Sequence, residues 1–479
     1  RRPGPAGRGR PRGQRCPRAV GRIRTCFRHL LPRFASDVVV SPLWPRGPTS
    51  LPYIAVACRV VTTGETTAIR SPLWGRLLAL VIIVAAAAPV VAYWLTNPDD
   101  QRLVDLEVYR TGGQSVLQGL PVYEFVTPAP QLLPFTYPPI AVLLAIPLAW
   151  MSWPVAQWVW TAGIFVALAV TVRHAFRAAL EGPDGRFAGR WSPVALGLLT
   201  AACTYLMPIR DQVRFGQIDI LLVMLCLVDL TARRPWWPRG MLIGLATAVK
   251  LTPGVFLIYL LITGFGRDGS REQRQTFFMA CFTAALLTLA PFAVIPQDAA
   301  DFWFSALLDS ERLGANAATT NQSIRGMLLR IYLPDAVTTA LWLALVAVVA
   351  WYGFRFARRA FRDGDRMTGI ALTGLMAVLL SPVAWIHHLA WIVVVLGAVV
   401  GTGRDPARLW LAGGIWLYYV LTIPWWGVSL RAAEIPVLSP VGGRIVQDAF
   451  GIGAVVLVWL LGHRLRRKAV PAADSAAGP

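Results

Sequence analysis

The sequence predicts an all-α polytopic membrane protein, and three observations carry that prediction. Apolar runs of about 20 residues, the length a helix needs to cross a bilayer, recur along the chain. Only 15% of the 479 residues are charged, against roughly 25% in soluble domains. Hydrophobic residues make up 56%, and mean hydropathy is positive.

Residues 1–70 carry 14 arginines against Asp37 and Glu65. They are rich in Gly and Pro, show no periodic apolar face, and cannot bury enough surface to order themselves. The first Met is Met151. The segment is either a start site placed too early, with the true start near Val60 or Val61, or a disordered cytoplasmic arm that touches anionic lipid. It does not read as a cleaved signal, because the apolar run from Leu77 is long and no small-residue cleavage site follows.

The membrane domain is expected over 71–468, with a disordered cytoplasmic tail at 469–479. Candidate spans are 76–95, a composite region 138–172, 191–209, 218–231, 240–263, 275–295, 336–354, 366–384, 386–402, 409–427 and 445–462. Region 138–172 is long for one helix and is interrupted by "MSWP". Region 240–263 is broken by "KLTP" at 250–253. An internal proline ends or kinks a helix at a cost of about 3 kcal/mol, so this region is expected to be a hairpin of two short helices.

The basic residues fix the sides. Segments 173–190, 232–239, 265–274, 355–366, 403–408 and 463–468 hold 21 Arg and Lys, whereas the alternate loops 96–137, 210–217, 296–335 and 428–444 hold 9. The positive-inside rule places the first set in the cytoplasm. That assignment requires 240–263 to enter and leave on one side, puts both termini inside, and gives about 12 helical passes. The long exterior loops are 96–137 and 296–335, and long loops in a compact protein are often functional. The net charge of +21 is thus accounted for by membrane topology, and no nucleic-acid partner is expected.

The six cysteines, Cys16, Cys26, Cys58, Cys203, Cys226 and Cys281, form no CxxC pair, which argues against a disulfide framework or a zinc site. No Walker loop and no GxGxxG opening a βαβ unit is present, so a cytosolic nucleotide-sugar domain is absent.

The same topology collects polar residues on the outer side. The first loop supplies Asp99, Asp100, Asp105, Glu107, Tyr109 and Glu124. "RDQVRFGQID" supplies Arg210, Asp211, Arg214 and Gln217, and Lys250 lies at the turn of the broken hairpin. "NQSIRG" supplies Asn321, Gln322, Ser323 and Arg325, and "SPVAWIHHLAW" supplies His387 and His388. Taken singly, each has a plain reading. Asp105 could be a solvated loop acid, Lys250 could snorkel to the interface, the histidines could be interfacial, and Arg325 could cap a helix or hold a lipid headgroup. Trp153, Trp158, Trp160, Trp385, Trp391, Trp425 and Trp426 read as interface-belt aromatics. Asp219 and Asp229 have no assigned role. Together the residues suggest a chemistry. One carboxylate acts as general base, and the cations Lys250, Arg325 and Arg210 hold a phosphate leaving group as charge develops on it. An ionisable residue such as Lys250 inside a span usually marks a functional site.

Five ordered motifs, "VDLEVYRTGG…GLPVYEF…LPFTYPPIAVLL", "GQIDILLV", "GLATAVKLTPGVFLIYLL", "NQSIRG" and "SPVAWIHHLAW", resemble glycosyltransferase family 87, integral-membrane mannosyltransferases of the GT-C class in actinobacteria. The resemblance spans about residues 76–465. It implies a GT-C fold with polyprenyl-phosphate mannose as donor. Phosphatidylinositol mannosides or a lipomannan or lipoarabinomannan backbone would be acceptors, and the product an α-1,2-linked mannose formed with inversion. It implies an acidic catalytic residue in the first exterior loop, where Asp105-Leu106-Glu107 stands. Asp105 would be the base and Glu107 a helper. His387 and His388 match the family's "HH" and would lie near the donor phosphate or acceptor sugar. Lys250, Arg325 and Arg210 are the phosphate candidates, with Gln217, Asn321 and Tyr137 as further substrate contacts. No cofactor and no metal are expected. The partners implied are the lipid-phosphate donor, a glycolipid acceptor and the plasma-membrane bilayer. Two other readings stay open: a lipid-linked sugar transporter or flippase, and a GT-C enzyme for another sugar such as arabinofuranose.

Overall fold

A computed structural model describes residues 72–98, 102–266, 268–309, 312 and 314–468. The expectations for residues 1–70 and 469–479, and for Asp99 and Asp100, lie outside these. The described residues are helical, and among them the only strand-like pairings are the isolated bridges Val126–Pro134 and Asn321–Trp385.

The apolar run after Pro72 forms α1 (Leu73–Leu95). The segment 96–137, expected to be a loop, contains a helix, α2 (Val104–Gln118). Its buried residues are Val104, Leu106, Val108, Tyr109, Gly112, Gly113 and Ser115. The two glycines explain "TGG". A Cβ on Gly113 would lie 2.9 Å from the Ala145 carbonyl oxygen, and one on Gly112 would lie 3.0 Å from Phe135 and Val142. Small residues there let α2 lie directly on α3 (Pro139–Ala149).

The composite region resolves into α3 and α4 (Trp153–Ala175), split at 150–152 and restarted by Pro154 in the first turn of α4. Next come α5 (Ser192–Thr204) and α6 (Met207–Phe215), bent 77° from each other, then α7 (Asp219–Thr231). The hairpin follows as α8 (Met241–Val249) and α9 (Val255–Gly264), which both pack on α10 (Arg271–Leu289). Then come α11 (Ile324–Leu329), α12 (Asp335–Arg362), α13 (Arg366–Leu379), α14 (Ile392–Val400), α15 (Pro406–Val420), α16 (Ile423–Ala432) and α17 (Ala449–Lys468).

The hairpin is what the loop charges required. A Cβ on Gly240, before α8, would strike the carbonyl of Thr276, and one on Gly264, ending α9, would strike the backbone of Arg274. Both ends of the segment therefore lie at the N-terminal end of α10, and Lys250 lies at the turn far from it. A second buried pair has the same form. Every residue of α13 from Thr368 to Leu379, and every residue of α14, is buried. The link between them carries a short 3-10 turn, Ile386–Trp391, holding the two histidines.

The basic loops converge on one end of the bundle. Arg177 donates to the Thr231 carbonyl at 2.8 Å, and Arg239 donates to the Asp229 carbonyl at 2.8 Å. Glu272 lies 3.3 Å from Arg239 and 3.8 Å from Arg366. Arg362 pairs with Asp268, the Arg186 amide donates to the Thr402 carbonyl at 3.0 Å, and Arg464 lies beside Arg408 and Asp405. All six segments grouped by their arginines thus belong to one cluster.

Length separates two classes of helix. Leu73–Leu95, Trp153–Ala175, Arg271–Val294 and Asp335–Arg362 are long and apolar enough to cross a membrane, and three bent pairs bring the total to seven. The remaining apolar helices are shorter. α7, with 13 residues, is about 20 Å long at 1.5 Å per residue, short of a roughly 30 Å hydrocarbon core. The short helices α7, α8, α9 and α13 start or finish at the basic cluster and end on the residues described next.

Candidate active site

Five chain segments meet at the ends of the short helices away from the basic cluster. Leu103, just before α2, donates its amide to the Arg214 carbonyl at 3.2 Å, and so brings Asp105 and Tyr109 beside the end of α6. Gly216 closes α6 in the left-handed region, φ +72°, and a Cβ there would lie 2.8 Å from the Leu106 Cβ. Only glycine meets both demands, and the turn delivers Gln217 and then Asp219, the first residue of α7. Tyr137 precedes α3, Lys250 sits in extended backbone at the hairpin turn, and the 3-10 turn supplies His387 and His388.

Two hydrogen-bonded groups result. In the first, the Tyr109 and Tyr137 hydroxyls are 2.8 Å apart, and each reaches the Gln217 Oε1, at 3.2 and 3.1 Å. The Gln217 side chain also lies close enough to Asp105 to favour its ionised form. In the second, the Lys250 Nζ donates to Asp219 Oδ1 at 2.8 Å and meets His388 Nε2 at 2.9 Å. An ammonium only donates, so Nε2 is the bare nitrogen of His388 and its proton is on Nδ1. His387 Nε2 stands 3.8 Å from Asp219 Oδ2, beyond hydrogen-bond reach. Asp219 Oδ2, His387 Nε2 and His388 Nδ1 are buried without a hydrogen-bond partner among the described residues. Buried polar atoms are rarely left so, and two of these, Asp219 Oδ2 and His387 Nε2, stand 3.8 Å apart. The Lys250 Nζ also lies 5.3 Å from the centre of the Tyr137 ring, which joins the two groups.

Its surroundings perturb Asp105. Burial pushes its carboxyl up to about 7, the Gln217 side chain and the Lys250 charge pull against that rise, and the Asp219 charge adds to it. Burial likewise drives the Tyr109 hydroxyl well above its ordinary value and Tyr137 to about 12. Both therefore remain neutral donors.

Asp219, His387 and His388 offer ligand atoms within 4.8 Å of one another, a set that suits a divalent cation. The lysine ammonium already lies within hydrogen-bonding distance of two of the three, and it supplies the positive charge of this cluster.

The structure thus brings together Asp105, Tyr137, Gln217, Lys250, His387 and His388 of the sequence-predicted residues. Others lie apart from the two hydrogen-bonded groups. Glu107 follows Asp105 by two residues on a helix, a rotation of about 200°, so the two acids point in different directions. Arg325 stands over the Trp342 ring at 5.6 Å, and Arg210 donates to the Val420 carbonyl at 3.0 Å. Asn321 is a clamp. Its Oδ1 accepts from the Ser323 and Ala384 amides at 3.2 and 3.0 Å, and its Nδ2 donates to the Asn316 carbonyl at 2.8 Å. It ties the segment 296–335 to the strand-like residues just before the histidines. Arg330, 1% exposed, braces that segment through Asp448 Oδ1 at 2.6 Å and the Asn321 carbonyl at 2.8 Å.

Sequence reasoning missed Asp219 and gave Tyr109 no role. A signal for Asp219 was available: one acid opening an apolar run needs a cation, and Lys250 is the one lysine within the spans.

The model of glycosyltransferase family 87 matches residues 135–382. No solved structure matches the chain. A polyprenol-phosphate-mannose-dependent alpha-(1-2)-phosphatidylinositol mannoside mannosyltransferase of Mycolicibacterium smegmatis is 32% identical over 74% of this chain and 83% of its own length. The protein of the same description from Mycobacterium tuberculosis is 33% identical over 69% and 78%. A Mycolicibacterium smegmatis enzyme described as acting on phosphatidylinositol pentamannoside is 31% identical over 71% and 76%. With a family match over half its length and such relatives over two thirds of it, this chain belongs to glycosyltransferase family 87 and is a membrane glycosyltransferase.

Proposed function

We propose that the protein moves mannose from polyprenyl-phosphate mannose to a phosphatidylinositol mannoside or a lipomannan or lipoarabinomannan backbone, forming an α-1,2 linkage with inversion. The observation that carries this reading is Asp105, a partly buried carboxylate held near neutrality beside a buried cation. A general base works best with a pKa near the working pH, and a lysine in a water-poor site is well placed to meet developing phosphate charge. The named activities of the relatives supply the sugar and the acceptor class.

In the proposed step the acceptor hydroxyl oxygen attacks the anomeric carbon. Its proton passes to Asp105, and the bond from the anomeric carbon to the phosphate oxygen breaks with its electron pair left on the phosphate. Lys250 with the unpaired nitrogens of His387 and His388 contacts that phosphate. Arg325 and Arg210 hold the lipid-linked phosphate on its approach, and Glu107 is a helper acid. The site opens to the exterior of the plasma membrane, with both termini cytoplasmic.

The test is a membrane assay with radiolabelled polyprenyl-phosphate mannose and a panel of lipid acceptors. Asp105→Asn is expected to abolish transfer while the protein still inserts, and Glu107→Gln to retain more activity than that variant. Substantial transfer by Asp105→Asn would overturn the assignment.

A further inference from the structure

Asp219 has no part in the transfer step, yet it stands among the residues that do. Its Oδ1 accepts from the Lys250 ammonium at 2.8 Å. Its Oδ2 is buried without a hydrogen-bond partner among the described residues, and so is His387 Nε2, 3.8 Å away. One side chain holds both edges of that gap. Gln212, wholly buried, donates from Nε2 to the His387 carbonyl at 2.8 Å. Its Oε1 accepts from the amide of Ile220, the residue after Asp219, at 3.4 Å. The His387 ring is also packed, against Phe215 at 6.3 Å and edge-on to His388 at 4.7 Å between ring centres. The two edges are therefore kept apart at a fixed width.

Charge and proton count say what fits the gap. One oxygen at about 2.8 Å from both atoms bridges them at an angle of about 85°. A phosphodiester oxygen does not suit. It is anionic and has no proton to give, and a carboxylate oxygen only accepts. A cation would set a second positive charge beside the Lys250 ammonium, which already lies against this carboxylate. A hydroxyl suits both edges, because it donates one hydrogen to Oδ2 and accepts one from a His387 Nε2–H. Its place on a sugar follows from Oδ1. That oxygen holds the lysine that contacts the leaving phosphate, so the hydroxyl on Oδ2 lies close to the same phosphate. On a glycosyl phosphate the nearest hydroxyl is the one on carbon 2, beside the anomeric carbon. In glycoside hydrolysis, hydrogen bonds to that hydroxyl strengthen in the oxocarbenium-like transition state.

We propose that Asp219 Oδ2, with His387 Nε2 across from it, holds the 2-hydroxyl of the transferred mannosyl unit, so that Asp219 determines specificity for the donor sugar. The inference rests on the reading that the donor is a mannosyl phosphate whose phosphate meets Lys250. It gives the two oxygens of one carboxylate two tasks. Oδ1 fixes the lysine, and Oδ2 fixes the sugar joined to the phosphate that the lysine meets. A sugar epimeric at carbon 2 turns that hydroxyl away from Oδ2, so this contact tells mannose from glucose.

The experiment compares polyprenyl-phosphate mannose with its 2-deoxy analogue as donors, in membranes with a phosphatidylinositol mannoside acceptor. kcat/KM is measured for both donors with the parent and with Asp219→Asn. A 2-deoxy sugar reacts faster intrinsically, so the quantity read is the ratio of the two donors. The intrinsic difference cancels when that ratio is compared between enzymes. Asparagine keeps the shape and replaces a charged acceptor by a neutral one. The preference for the natural donor is expected to fall about tenfold, the difference between hydrogen bonds to charged and to neutral groups. Asp219→Glu keeps a charge for Lys250 but displaces the second oxygen, and a similar fall is expected. The 6-deoxy donor is the control, and its ratio to the natural donor should not change. A role confined to holding Lys250 lowers all donors by one factor. An unchanged 2-deoxy ratio in either variant, or an equal change for the 6-deoxy donor, would overturn the proposal and leave water as the bridging atom. If Asp219→Asn is inactive or does not fold, Asp219→Glu decides alone. Parent membranes that transfer no mannose from the natural donor sink the function itself, and this inference with it.

Discussion

Asp105 carries a stability cost that can be read out without an assay of transfer. Its carboxyl is raised from 3.8 to about 7 in the folded protein, so the native state binds an extra proton between those values. A group of this kind lowers stability as pH rises through that window, and the full cost is present above the folded pKa. Asparagine mimics the protonated form. Asp105→Asn should therefore raise the melting temperature in detergent or nanodiscs, more at pH 8 than at pH 5. An equal effect at both pH values would contradict the raised carboxyl of Asp105. Lys250 has the opposite character. It lies between Asp219 and His388 at hydrogen-bonding distance from each, and removing one member of a buried ion pair costs about 3–5 kcal/mol because the other charge is left uncompensated. Lys250→Met should lower thermal stability sharply. Adding Asp219→Asn should restore most of it without restoring transfer. A Lys250→Met protein that melts like the parent would show that the pair is not a buried charge pair. At this scale the sequence was informative where a residue type is rare in its setting: the lone intraspan lysine, the adjacent histidines, the acid after a long apolar run. It was silent on Asp219, because an acid at a helix start also reads as an ordinary partner of the helix dipole. Asn321 sits in a motif that looks functional, yet its amide clamps its own neighbours. Spacing alone does not tell a clamp from a contact.

The elements that build the site are those the sequence described least well. A run of apolar residues is legible as membrane-length, but a break of two or three residues inside it is legible only where proline marks it, as at "KLTP" and "MSWP". The helix α2 was hidden because it is amphipathic and lies in a loop rather than a span. Its two glycines show how tightly it must sit. A Cβ on Gly113 would lie 2.9 Å from the Ala145 carbonyl oxygen, whereas nothing lies within 4 Å of one on Gly163 in the middle of α4. Gly163→Ala should be neutral or stabilising by up to about 1 kcal/mol, the helix-propensity gain. Gly113→Ala should lower stability by about 1–3 kcal/mol as an overpacked contact. It should also lower transfer, because α3 is displaced and Tyr137 sits immediately before α3. Unfolding temperatures and initial transfer rates of the two variants, measured side by side, check both halves. Equal behaviour of the two would mean that α2 has room to move and that "TGG" has another purpose.

At the scale of the whole molecule, arginine distribution predicted more than hydropathy did. Apolar runs and loop charges together gave about 12 passes; by length, four described helices, or seven with each bent pair taken as one span, can cross a membrane, and the other apolar helices are shorter. The arginine count, by contrast, named six segments that share an end, and their backbones and side chains do meet in one cluster. The site residues lie at the far ends of the short helices, so the sidedness of one end fixes that of the other. Positive loops stay in the cytoplasm, so the proposed orientation turns the site toward the exterior, where a lipid-linked sugar rather than a nucleotide sugar would be the available donor. Labelling tests this directly. In a background with the native cysteines replaced, Glu124→Cys places an exposed thiol in the loop that carries Tyr123 and Tyr137, and Asp363→Cys places one beside Arg362 in the basic cluster. A membrane-impermeant maleimide should modify Glu124→Cys in intact cells and Asp363→Cys only after permeabilisation. The reverse pattern would invert the molecule, put Asp105 on the cytoplasmic side, and require a donor delivered from that leaflet. Modification of both in intact cells would break the link between the arginine cluster and a single membrane face.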